Sequence, residues 1–388
     1  MSGIIDTLIN NSKKLKAKRY QSHKFCYDTP NISVIEYDAD QEVEWKLYGE
    51  SDHIKKVKDL TPLVEQLREV HQPSWFKYFL DGSRHTYKVD DIAFSNKVYP
   101  IIAGQVGVSC CNRIDKKMGK EFFIRKWVIS LPNSAIASEF NKKDEALKLL
   151  EKLNQSPTIV KLASRGLRLD DILLYDLDRD CKFESKGIAK IQDYMIEQEK
   201  LAVLQLVKDG KVNDGAYLIK DGSLEYKATK NKNMDLAAAK MKNAYQYVIG
   251  VSKSFNPTMC ETKDNMANSS IIAGLKPNER TPACCYESKI SGDGVSFCVW
   301  YLRLRDSKYT QNVFDGVIKV EKLIQKDEET TGVDSELVDI ISAFLLMERN
   351  PVAYGSDGRW ANHLYPVYVT ENFAKSQYIS NEMFLNLF

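Results

Sequence analysis

The hydrophobic pattern along the chain switches repeatedly between a period near two and a period near 3.6, which predicts a mixed α/β protein. Leu60, Leu63, Val64 and Leu67 recur at helical spacing and predict a helix over Val57–Val70, after an amphipathic segment Ile4–Tyr20 and a strand near Ser33–Tyr37. From Trp75 onward the apolar content rises, and three strands are expected at Arg84–Phe94, Tyr99–Ser109 and Glu121–Leu131. They are joined by short turns as a meander, and the second is apolar enough to be central and buried. A helix over Ala135–Leu153, a linker with a short helix over Ser156–Leu169 and a surface turn at Leu173–Asp180 follow. Ile188, Ile191, Tyr194, Met195, Leu201, Leu204 and Val207 then form one broad apolar face, which predicts a helix over Lys186–Val207.

Beyond it the pattern predicts a strand ending at Asp221, a helix over Met234–Ala244 and a strand over Tyr245–Val251. A polar insertion occupies 255–294. Val295–Arg305 reads as a strand with Asp315–Val320 as its hairpin partner, Ser335–Glu348 as a helix, and Asn362–Thr370 as a short strand before an irregular or helical tail. The organisation expected is an N-terminal arm over 1–70, largely helical, a main domain over 71–378 with inserts near 132–180 and 255–294, and a tail over 379–388.

Composition narrows the class without choosing a function. The 388 residues are 43% hydrophobic and 28% charged, which suits a folded domain with a full core rather than a disordered chain. The formal net charge of +2 means that nucleic-acid binding requires a local basic surface. No run approaches a membrane span, and the N-terminal stretch lacks the apolar core of a signal peptide, so the expected location is the cytoplasm, away from membranes. The eight cysteines have no CxxC spacing, and the five histidines form no HExxH, which argues against zinc chemistry. Any bound metal must then be held by carboxylates, and such hard oxygen donors point to manganese or magnesium.

The candidate chemistry starts from a repeated acidic motif. Trp75–Tyr87 reads WFKYFLDGSRHTY and Ala216–Tyr226 reads AYLIKDGSLEY, so Asp81 and Asp221 each follow an extended apolar run. Asp-Gly is also a common hairpin turn, so each copy is either a turn or a presented metal ligand. On the Lys186–Val207 helix, Glu197 shares the apolar face, where an unpaired carboxylate is costly; Glu199 is the alternative acid on that helix. Lys253 stands at the tip of the Tyr245–Val251 strand, either to meet a phosphate or as an exposed lysine. Arg84, Arg303 and Arg305 are candidates for nucleic-acid contact, the latter two on one face of their strand and equally able to decorate a solvent face. The basic hairpin NRIDKKMGK, with Arg125 and Lys126 just beyond, is either a solvated turn or a phosphate-contacting rim.

The ordered set LDGSR, a glutamate-bearing helix, DGSL, GVSK, a YLRL strand hairpin and a late YP segment resembles the NurA nuclease family over about residues 74–378. The resemblance implies a ribonuclease-H-like mixed sheet with flanking helices that cuts DNA with manganese, magnesium being an alternative. It also implies a homodimer working with a HerA-type hexameric ATPase in DNA end processing or defence. Carried over, Asp81 and Asp221 match the metal-binding aspartates, Glu197 or Glu199 the helix glutamate, and Lys253 the lysine. Glu371 falls where the family has a histidine, with His363 as an alternative donor. A carboxylate there preserves metal binding but not proton transfer by neutral imidazole. A catalytically impaired DNA-binding or assembly subunit is therefore the second function expected, and an RNase or transposase-like enzyme the third.

Overall fold

The computed structural model describes residues 3–11, 18–20, 25–26, 44–52, 56–94, 96–136, 142–176, 182–225, 242–255, 269–288, 291, 295–307, 314–349 and 358–388. The strands are β1 (Lys18–Tyr20), β2 (Phe25–Cys26), β3 (Glu44–Gly49), β4 (Lys58–Asp59), β5 (Phe76–Phe94), β6 (Lys97–Ile114), β7 (Lys117–Pro132), β8 (Asp171–Tyr175), β9 (Tyr217–Asp221), β10 (Val248–Ser252), β11 (Glu279–Arg280), β12 (Cys284–Glu287), β13 (Ser296–Arg303) and β14 (Val317–Leu323). The helices are α1 (Ile4–Asn11), α2 (Thr61–Glu69), α3 (Lys142–Asn154), α4 (Pro157–Ala163), α5 (Phe183–Lys208), α6 (Ser269–Gly274), α7 (Glu328–Thr331), α8 (Ser335–Met347), α9 (Tyr365–Ser376) and α10 (Asn381–Leu385).

All fourteen strands belong to one mixed sheet, whose main path runs β3-β12-β13-β14-β10-β9-β5-β6-β7-β8. Long antiparallel pairing of β5, β6 and β7 builds one half, where the sequence predicts a meander. Short parallel strands β9 and β10 continue the sheet beside β5. Layers cover both faces, so the central strands are apolar on both sides. On one face α5 lies across β5 and β6, with Ile191 filling the space above Gly104. On the other, α8 and α9 close a core containing Phe79, Ile219, Val251, Trp300, Phe344 and Val367. None of the described helices is long and apolar enough to cross a membrane.

Four elements differ from the pattern-based expectation. The DGS at Asp81 is no turn: β5 runs on through it to Phe94, because β6 pairs with it along nearly its whole length. Leu173 lies not in a surface turn but in β8, parallel to the end of β7, and residues 177–181 lie outside the described set. Instead of one helix over Ala135–Leu153, a 3-10 turn at Asn133–Ala135 precedes α3 at Lys142–Asn154. The stretch expected to be a strand over Asn362–Thr370 is mostly the start of α9, which Pro366 opens in the first turn, a position that suits its fixed φ and missing N–H. Val367, Thr370 and Ala374 are buried at helical spacing, so packing overrides the β propensity of YPVYV. The proposed strand at Ser33–Tyr37 and most of the helix at Met234–Ala244 fall outside the described residues.

Candidate metal centre

The parallel strands β9 and β10 stop while β5 continues, which leaves a crevice at their C-terminal ends, where open α/β sheets bind ligands. Asp81 projects into it from mid-β5 and Asp221 from the last position of β9. Alternation fixes the face: Ser83, His85 and Tyr87, in phase with Asp81, meet Tyr378 and Phe384 of the C-terminal segment. The same face is covered by α9, which supplies Glu371 from its second turn. One ligand oxygen each from Asp81, Asp221 and Glu371 lies within 4.8 Å of the others.

Lys253, just after β10, places Nζ 2.9 Å from Asp221 Oδ2 and 2.9 Å from Glu371 Oε2. Lys375, one turn along α9, donates to the other oxygen of Glu371 at 2.7 Å. Burial alone would raise the Glu371 carboxyl; the two ammonium groups outweigh it and bring its pKa down to about 2. For Lys253 burial opposes the charge, but Asp221, Glu371 and Asp81 outweigh it and push its pKa up. Asp81 has the opposite fate. It is 6% exposed, and burial followed by repulsion from Asp221 holds its carboxyl well above the usual range. Its Oδ2 is buried without a hydrogen-bond partner.

A fourth acid enters from the opposite face. Glu199 of α5 approaches β5 at Gly82, where a Cβ would stand 2.1 Å from its Oε1, so only glycine leaves room for it. Its carboxylate pairs with Lys220 at 2.7 Å, and both are almost fully buried. Burial raises the Glu199 pKa, and Lys220 only partly reverses this. Lys220 also donates to the carbonyls of Asp221 and Ser223, which fixes the loop carrying the second DGS. The resulting cleft has a volume of about 700 Å³ and includes Asp81, Glu199, Asp221, Lys253 and Glu371 among its walls.

The remaining sequence candidates lie elsewhere. Glu197 faces away from the cleft, with a 40% exposed side chain paired to Lys200, because the buried phase of α5 runs through Met195, Glu199, Ala202 and Val203. Glu371 is neither at a strand end nor a helix cap, being the seventh residue of α9. His363 is buried against Tyr368 and is not among the clustered ligand atoms. Arg303 does not present a nucleic-acid surface: it is fully buried and donates to the carbonyls of Ile272 and Ala273. Arg305 lies beyond the end of β13, its guanidinium 5.0 Å from the Trp360 ring centroid. Arg84 donates to Gln192 of α5 at 2.6 Å, on the far face from Asp81. Sequence reasoning missed Lys220, whose only signal is its place beside Asp221 in a buried strand.

The donor set fits a hard divalent cation. It offers three carboxylates from three elements, one buried oxygen still lacking a partner, and no sulfur or imidazole donor in the cluster. No family model and no curated protein matches the chain. Among solved structures, the chain is similar to the crystal structure of the NurA nuclease from Sulfolobus solfataricus, at 12% sequence identity and a TM-score of 0.35, over 81% of this chain and 86% of that one.

Proposed function

We propose that this protein is a divalent-metal-dependent nuclease that hydrolyses phosphodiester bonds in DNA, with manganese or magnesium held by Asp81, Asp221 and Glu371. The observation that carries the reading is the convergence of those three carboxylates within 4.8 Å at the mouth of a cleft. A bound divalent ion supplies an activated water and neutralises charge on the phosphate. Lys253 pairs with Asp221, helps to keep the Glu371 carboxyl ionised, and stands where it can donate to a non-bridging phosphate oxygen. Glu199, with its raised pKa, is suited to hold a proton at its carboxylate on the far side of the cleft. Lys220 is the positioning residue for it.

Incubating the protein with linear duplex and single-stranded DNA, with manganese, with magnesium or with EDTA, tests the proposal. Metal-dependent cleavage is expected, lost by about a hundredfold or more in Asp221→Asn with the melting temperature kept, since one anionic ligand is removed without a change of shape. The Lys253 ammonium already pairs with two of the three acids, and this favours a second reading, a non-catalytic DNA-binding subunit of a nuclease–ATPase complex. Absence of cleavage with either ion selects that reading, and cleavage of RNA in preference to DNA changes the substrate class. A ribonuclease-H-like core, a homodimer and a HerA-type ATPase partner belong to the same proposal; solution mass measurement tests the dimer.

A further inference from the structure

A second pocket, of about 370 Å³, lies on the same face of the sheet as the three carboxylates and holds two guanidinium groups, Arg125 and Arg168, with the Gln377 amide. The strand register places it relative to the cleft. Asp81 pairs with Ser109 and Ser109 with Phe123; in the next row of the same face Ser83 pairs with Gly107 and Gly107 with Arg125. Two strand spacings across and two residues along put the Arg125 backbone about 12 Å from that of Asp81. Between them α9 carries Glu371 toward the cleft and a half-exposed Lys375, and the chain continues from α9 to Gln377 in the pocket wall.

The pocket is built for an anion. Its carboxylate, Asp170, is already committed, accepting from the Trp127 backbone N–H at 2.9 Å and from Lys126 Nζ at 3.0 Å. With Lys126 compensating Asp170, the two lining guanidinium groups face no other acid among the lining residues. The Arg125 guanidinium lies 5.9 Å from the Trp127 ring centroid, and that ring is 1% exposed and so fixed in place. Contact with an aromatic ring holds the guanidinium in one plane and leaves N–H groups for an incoming acceptor. Arg168 is exposed and supplies a second fork.

The geometry points to this pocket as a phosphate subsite for the backbone of the nucleic-acid strand leading away from the cleft, gripped by Arg125 and Arg168 with Gln377 as a neutral donor. The inference rests on the nuclease reading and adds a strand path: from Lys253 over α9 past Lys375 to the two arginines. Its contacts are to phosphate, so they position the strand and carry no base preference.

The test separates binding from cutting. Binding of a fluorescein-labelled single-stranded DNA oligonucleotide is followed by anisotropy in EDTA across a salt series, for wild type, Arg125→Ala/Arg168→Ala, Arg125→Gln/Arg168→Gln, and Lys208→Ala as an exposed-lysine control at the end of α5. The Gln pair keeps side-chain length, so the comparison survives if the Ala pair folds poorly. Loss of two phosphate contacts is expected to weaken binding about tenfold or more and to lower the salt slope by about 1.4, with the control unchanged. In cleavage assays KM rises with kcat unchanged. If both double variants bind like wild type with the same slope while wild type still cuts DNA, the subsite falls and the nuclease reading stands. If wild type neither binds nor cuts, both fall.

Discussion

Two buried charge clusters in this sheet use the same ingredients to opposite ends. At one edge Arg280, fully buried, donates to both oxygens of Glu50 at 2.9 and 2.7 Å and to Asp339 at 2.7 Å, and Lys58 also pairs with Asp339. Glu50 in addition accepts from the Ala283 N–H. Two cations face two carboxylates, and the arrangement ties the segment after β3 to α8 and β11. In the cleft, Lys220 is taken up by Glu199, and Asp81, Asp221 and Glu371 share the buried Lys253, with the half-exposed Lys375 on the outer oxygen of Glu371, while an oxygen of Asp81 lacks a partner. Burial costs charged groups heavily unless they are compensated. A balanced cluster therefore holds structure together, whereas an excess of buried acid leaves negative charge that a further cation would offset.

Removing one partner is the harshest way to break the balanced cluster. Arg280→Met leaves Asp339 with Lys58 and strips the buried Glu50 of its ion pair, and about 3–5 kcal/mol of folding stability is expected to be lost in chemical denaturation. A loss within experimental error would show that water reaches this edge.

A methyl group at Gly82 tests how tightly the unbalanced cluster is packed. Gly82→Ala drives Cβ into Glu199, whose Oε1 would be 2.1 Å away. Because that carboxylate is held by Lys220, relief requires moving a buried pair, and a cost of about 1–3 kcal/mol is expected. Divalent-ion binding, read by calorimetry, should weaken along with it.

The sharpest contrast comes from Asp81→Asn. Neutralising one acid in the balanced cluster would orphan a cation; here it removes repulsion, so the metal-free variant should be as stable as wild type or more so, by about 1 kcal/mol. Manganese reverses the order: at a hundredfold excess over Kd it should stabilise wild type by about 2.7 kcal/mol and leave the variant unmoved. Equal metal-induced shifts in melting temperature would remove Asp81 from the ligand set.

The smallest effect is expected at the rim. Lys375 is half exposed and pairs with Glu371 one turn away, so Lys375→Ala should change stability by only about 0.3–0.5 kcal/mol.

Much of the frame was legible from periodicity alone, because an apolar run that must be buried on two sides, such as Tyr99–Ser109, or a broad 3.6-period face, such as that of α5, leaves few alternatives. The two DGS motifs singled out Asp81 and Asp221, and the apolar strand before Lys253 singled out the lysine; the structure brings all three into one cleft. What local pattern alone could not decide was phase and partnership. Glu197 and Glu199 lie two residues apart on one helix, and which of them enters the cleft depends on Gly82 in a strand more than a hundred residues away. The YPVYV segment has strand-like propensity, yet the burial of Val367, Thr370 and Ala374 against the sheet makes it a helix and turns Glu371 inward. Arg303 reads as a surface arginine and is instead spent on buried carbonyls. The sequence by itself determined the elements and the pair of aspartates, since backbone periodicity and burial are local demands. Only the tertiary structure decided which charges share a cavity, because electrostatic compensation is settled between groups that the chain brings together from distant positions.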